Sequence, residues 1–148
     1  MNLPRYQLAG NDKLTTFEFV SEGPKGRIQK LVQFTSTNLK DVYNLAFGDK
    51  DKVTGKIDDT IISNNGDSEK VLATVTATIY AFTDKYPDAF IYATGSTKSR
   101  TRLYRMGITK YLSEVENDFI IFGETKEGWD IFEKDTNYFG FLIQRKNY

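Results

Sequence analysis

Apolar positions recur with period two in the first third of the chain and with a period near 3.6 through its middle. That switch sets the predicted elements. Phe17 and Phe19 alternate with Glu18, and Gly23-Pro24-Lys25-Gly26 follows with turn chemistry, proline supplying a φ of about −65°. The returning segment places Ile28, Val32 and Phe34 on one parity and Arg27, Gln29 and Gln33 on the other, so residues 14–34 read as a β-hairpin. Lys30 and Leu31 break the alternation. Tyr43, Leu45 and Phe47 face one way in a third strand over 42–47, and GDKDKVTGK reads as a charged turn. A fourth strand over 57–62 completes an antiparallel meander.

Asn64-Asn65-Gly66-Asp67-Ser68-Glu69 stops this pattern and starts another. Asp67 or Ser68 caps a helix N-terminus, and Glu69 suits its first turn. The helix covers 68–85, with Leu72, Val75, Ile79, Phe82 and Tyr86 on one face. Its Val, Ile and Thr content also suits a strand, but the length, the cap and the Asp84-Lys85-Tyr86-Pro87 ending favour helix. Residues 90–94 read as a central strand, apolar or small on both faces. A second helix over 97–116 buries Leu103, Met106 or Gly107, and Tyr111, flanked by Tyr104, Ile108, Leu112 and Val115. Arg102, Arg105 and Thr109 follow another face, with Lys98 one turn earlier. Strands at 119–122, 129–132 and 138–144 follow. The expected fold is α+β: an antiparallel sheet of six or seven strands with two helices packed against one face. No repeat, low-complexity tract or linker breaks the chain, so residues 1–148 are expected to form a single domain.

Composition removes whole classes of chemistry. The chain has no Cys, hence no disulfide, thiolate nucleophile or zinc–thiolate site. It has no His, which excludes a Ser-His-Asp triad and the commonest general base and metal ligand. Asp49-x-Asp51 lacks the rest of a calcium loop, and Asp58 and Asp59, adjacent on a strand, point to opposite faces. No metal site and no cofactor are expected. The formal net charge of +0 argues against a polyanion binder that relies on bulk charge. With no signal-peptide core and no apolar run of membrane-span length, a cytoplasmic protein without a membrane partner is expected.

Local charge is another matter. The strand ending in Thr94-Gly95 runs straight into Ser96-Thr97-Lys98-Ser99-Arg100-Thr101-Arg102-Leu103-Tyr104-Arg105, and no carboxylate occurs between 95 and 112. A strand feeding a helix N-terminus aims free N–H groups at an anion. Gly95 allows close approach, Ser96, Thr97 and Ser99 donate hydrogen bonds, and Lys98, Arg100, Arg102 and Arg105 neutralise charge. The expected ligand bears phosphate, as a nucleic acid or a nucleotide. Neither a Walker loop nor a Gly-x-Gly-x-x-Gly fingerprint is present. An alternative is a His-free phosphodiesterase or ribonuclease using Lys98, Arg100, Arg105, Tyr104 and Glu124. A further alternative is a protein-interaction module or homodimer in which the arginines only pair with acids or water. Phe17, Phe19, Tyr43, Phe47, Trp129, Phe132, Tyr138, Phe139 and Phe141 could offer stacking platforms for bases, but no RNP-like signature is present and aromatics at strand spacing read first as core. Tyr104 and Tyr111 are the stacking candidates beside the basic helix.

The segments SNNGD at 63–67 and GSTKSRTRLYR at 95–105, with EGPKG at 22–26 and the closing FGFLIQRK, resemble a family of short bacterial proteins known as a domain of unknown function. The resemblance runs over nearly the full chain. It implies a stand-alone bacterial domain and brings no activity, substrate or catalytic residue with it.

Overall fold

The structure, a computed structural model, describes residues 4–58, 63–95 and 98–146. It contains two helices and an open, mostly antiparallel sheet of nine strands. The chain forms two compact units, one from Asn2–Phe34 with Ala46–Lys85, the other from Thr35–Leu45 with Tyr86–Tyr148. The α+β class is as expected, but the strand count is higher than six or seven. One added strand, β1 (Ala9–Gly10), is two residues long and leaves no alternation to read.

In the first unit β1 pairs with β2 (Thr16–Gly23), and β2 forms the expected hairpin with β3 (Gly26–Ser36), in register from Thr16↔Gln33 to Gly23↔Gly26. The tight tip works because Gly26 takes a φ of 91°, which disfavours any side chain. Strand β4 (Val42–Lys50) pairs through Asp49 and Lys50 with β5 (Ile57–Asp58); the rest of the predicted 57–62 strand lies outside the described residues. Lys30 did not merely interrupt the hairpin pattern. It sits on the core parity opposite Phe19, buried, with its ammonium paired to Asp49, which also accepts from the Ser63 hydroxyl.

Helix α1 (Ser68–Lys85) has the predicted bounds. Its buried face is turned from the predicted one, running through Val71, Thr74, Val75, Thr78 and Phe82, while Leu72 and Ile79 are half-buried. Threonine can occupy a buried helical face because its hydroxyl finds a partner one turn back. Thr74 donates to the Lys70 carbonyl at 2.7 Å, Thr78 to Val75 at 2.6 Å and Thr83 to Ile79 at 2.8 Å. The strand-like composition that competed with the helical reading is therefore absorbed locally. Phe82 stacks on Phe34 of β3 with ring centroids 4.3 Å apart, which fixes the helix to the hairpin.

The loop before α1 grips the hairpin tip. Asn65, 2% exposed, accepts from the Lys25 N–H at 2.7 Å and donates through Nδ2 to the Gly26 carbonyl at 2.9 Å and to Ser21 Oγ at 3.2 Å. Gly23 is required here, since a Cβ at that position would lie 1.9 Å from the Asn65 carbonyl oxygen. Asp67 is the cap residue: its carbonyl accepts from the Val71 N–H, and its carboxylate accepts from the Tyr6 and Ser21 hydroxyls at 2.5 Å each. The Tyr6 hydroxyl in turn accepts from the Glu22 N–H at 3.0 Å.

In the second unit β6 (Phe90–Ala93) is central, as expected. It pairs in parallel with β4 from Val42↔Phe90 to Leu45↔Ala93, and antiparallel with β9 (Phe141–Arg145). The parallel pair departs from the all-antiparallel expectation, and the long intervening segment supplies the crossover that such a pair needs. Strand β9 also pairs with β7 (Phe119–Thr125), which forms a hairpin with β8 (Gly128–Ile131). Helix α2 (Lys98–Val115) buries Arg100, Tyr104, Gly107, Tyr111 and Val115, an i, i+4, i+7, i+11, i+15 series. Of the predicted pair Met106 and Gly107, it is Gly107 that faces inward; Met106 is 52% exposed.

Three outcomes follow. Asn65→Ala deprives the hairpin tip of its partners and is expected to cost about 1–3 kcal/mol in urea unfolding, with Gly23→Ala at least as damaging because backbone must move. Asp49→Ala leaves a buried ammonium without its carboxylate and is expected to cost about 3–5 kcal/mol, whereas Lys30→Met removes the charge and is tolerated better. Burial pushes the Tyr104 phenol up from 10.0 to about 12, with the Arg100 charge pulling the other way. A phenol raised on folding contributes its full stability below the unfolded value and loses it as pH climbs toward the folded one. Stability should therefore fall between pH 10 and about 12, and Tyr104→Phe should flatten that fall in alkaline unfolding curves.

Candidate functional site

Strand β6 delivers Thr94 and Gly95 to the start of α2, and the loop leading into β9 closes over them. Thr94 donates through Oγ1 to the Phe139 carbonyl at 2.8 Å, and the Gly95 N–H donates to Thr101 Oγ1 at 3.0 Å. Gly95 has no room for a side chain, because a Cβ would stand 2.3 Å from Arg100 Cβ and 2.4 Å from the Thr101 nitrogen. The predicted freedom of approach at this glycine is thus spent on the helix itself.

Between helix and loop opens a cleft of 570 Å³ lined by Lys98, Arg102 and Arg105 on the helix side, with Asn137, Tyr138 and Phe139 opposite and Thr94, Gly95 and Thr101 at its base. The 3.6 period sorts the basic segment. Positions 98, 102 and 105 share the open face, whereas Arg100 falls in the buried series and is 6% exposed. Of the predicted ligand contacts, the structure therefore brings together Gly95, Lys98, Arg102 and Arg105, and it places Arg100 inside the unit. Ser96 and Thr97 lie outside the described residues.

Arg105 donates from a terminal nitrogen to the Asn137 side-chain oxygen, a neutral partner that orients the guanidinium without cancelling its charge. Among the described residues no carboxylate lines the cleft, and none of Lys98, Arg102 and Arg105 forms a salt bridge. Lys98 and Arg102 stand one turn apart, so their like charges repel each other.

The loop wall is packed from behind. Tyr138 is buried, its ring tilted against Phe132 at 5.6 Å and edge-on to Phe141 at 6.0 Å, and its hydroxyl accepts from the Glu133 N–H at 3.0 Å. Gly123 of β7 makes space for that ring, since a Cβ there would lie 2.3 Å from it. Phe139, by contrast, is 57% exposed at the cleft. Sequence reasoning assigned Tyr138 and Phe139 alike to the core and missed Thr94, Thr101 and Asn137. The Asn137 turn residue next to two aromatics was a signal of a shaped loop, but nothing local showed that it folds back against α2.

The residues of the His-free enzyme reading are dispersed. Lys98 and Arg105 line the cleft, while Arg100 and Tyr104 lie on the buried face of α2. Glu124 of β7 accepts from the Tyr92 hydroxyl at 2.8 Å, and Tyr92 is raised from its ordinary value by burial and by that carboxylate. Tyr111 is likewise buried, which removes it and Tyr104 as stacking surfaces.

Among the described residues no helix is long and apolar enough to cross a membrane, and no group of three or more carboxylates is placed to hold a metal ion. No curated protein and no solved structure matches the chain. A family match does cover residues 2–146, and with it the protein belongs to a family of unknown function, DUF6934.

Proposed function

We propose that the cleft beside α2 is a binding site for a phosphate-bearing ligand, a nucleic acid or a nucleotide. The observation that carries this reading is the grouping of Lys98, Arg102 and Arg105 on one wall of a concavity whose lining, among the described residues, contains no acid. Two of these cations are long side chains on an exposed helix face, where they reach a phosphate without desolvating first. Asn137 pre-orients the third. The Gly95 and Thr101 contact fixes the strand end to the helix, so the wall is formed before any ligand arrives.

The test is binding of labelled oligonucleotides and nucleotides by fluorescence anisotropy at low and high salt. Three phosphate contacts on a single strand give a log–log salt slope of about −2. Lys98→Glu and Arg102→Glu each weaken binding by roughly ten-fold or more at low salt, because they reverse a charge in an anion site. Both positions are exposed, so the melting temperature of either variant stays close to that of the parent. Undiminished affinity in both variants sinks the proposal.

A further inference from the structure

Past Phe139, the last residue of the cleft lining, the sheet leads to a second exposed aromatic. The Phe139 N–H donates to the Glu124 carbonyl at 3.0 Å, and Glu124 is the cross-strand partner of Trp129 on β8. Two strand spacings, roughly 10 Å, thus separate the backbone of Phe139 from that of Trp129. Trp129 is the chain's one tryptophan and is 42% exposed on a strand whose four residues are all exposed. It is held in place all the same. Tyr92 packs against it edge-to-face with ring centroids 5.8 Å apart, and the Tyr92 hydroxyl is anchored on Glu124. Tyr92 reaches that far because Gly140 of the intervening chain carries no side chain; a Cβ there would lie 2.8 Å from the Tyr92 ring. Phe119, Phe132, Tyr138 and Phe141 of the same unit are buried.

An exposed phenyl in the same cleft as three cations that have no carboxylate partner among the described residues, and a pre-set, solvent-facing indole two strand spacings away, form two complementary surfaces. One takes phosphates, the other takes flat apolar rings. Inorganic phosphate or triphosphate uses only the first, and a mononucleotide brings a single ring to two aromatics. A duplex hides its base faces in the stack. A single strand offers both, and aromatic stacking is how proteins hold single strands without reading their sequence. Resting on the phosphate-site reading above, we infer that the ligand is a single-stranded nucleic acid. Its phosphates lie along Lys98, Arg102 and Arg105, and its bases stack on Phe139 and Trp129.

The experiment exploits the single indole. The full chain is titrated with oligo-uridylate, oligo-thymidylate, a duplex of the same length and inorganic triphosphate, following tryptophan emission and competition for a labelled strand. The expected result is quenching by single strands, none by triphosphate although it competes, and weaker competition by duplex. Trp129→Ala and Phe139→Ser each weaken single-strand binding by about ten-fold and leave triphosphate competition unchanged. A preference for uridylate over thymidylate assigns the ligand as RNA, and the reverse as DNA. If strands and triphosphate compete equally, with no quenching and no effect of either aromatic substitution, the stacking surface is refuted while the phosphate site stands. If neither binds, the phosphate site falls and this inference falls with it. The melting temperatures of both variants, each altering an exposed side chain, separate lost contacts from lost structure.

Discussion

The first unit depends on hydrogen bonds that water cannot replace. Asn65 is almost fully buried, and each of its side-chain polar atoms has a partner on the hairpin. Buried amides are stabilising only when complete, because an unmet donor or acceptor costs as much as several good contacts return. This one clasp sets three things together: the tip of β2 and β3, the entry of α1 and, through Asp67, the position of Tyr6. It explains why EGPKG and SNNGD, far apart in sequence, both bear small or turn-forming residues. Gly23 makes room for the Asn65 backbone, and Gly66 takes a φ of 73° beside Pro24. Neither segment needs a ligand to account for its composition.

The basic segment shows how a helix divides one run of sequence between two environments. Arg100 and Arg102 are two residues apart, so they differ by about 200° around the axis. One arginine is buried next to Tyr104, where its charge opposes the effect of burial on the phenol, and the other faces open solvent. A charge count along the segment treats them as equals, but their surroundings do not. What sets the open face apart is less the number of its cations than the absence, among the described residues, of acids from the opposite wall, and that wall comes from residues more than thirty positions later.

That distance marks the limit of what the residues alone disclose. The hairpin, both helices and the central place of residues 90–93 follow from period, caps and turn chemistry, all of them local. The buried face of α1 differs from the predicted one because threonine can turn inward there, its hydroxyl bonding to the preceding turn. Lys30 looked like a break in the hairpin because its partner, Asp49, lies outside the hairpin on the next strand, β4. The parallel pairing of β4 with β6 and the insertion of β9 are matters of topology and leave no mark on any short window. Trp129 and Phe139 obeyed the strand rule for core aromatics yet stand in solvent, since alternation cannot tell a covered face from an open one.

Strand β9 lies between β6 and β7 although it follows both in the chain. During synthesis the ribosome releases everything needed for the first unit, up to Lys85, well before it releases this strand. Until Phe141–Arg145 emerges, β6 and β7 each present an unsatisfied edge to the same missing neighbour. The second unit must therefore wait, open and sticky, for its keystone to arrive. A nascent chain stalled short of that point has a finished hairpin-and-helix half and an apolar half still exposed to chaperones and proteases.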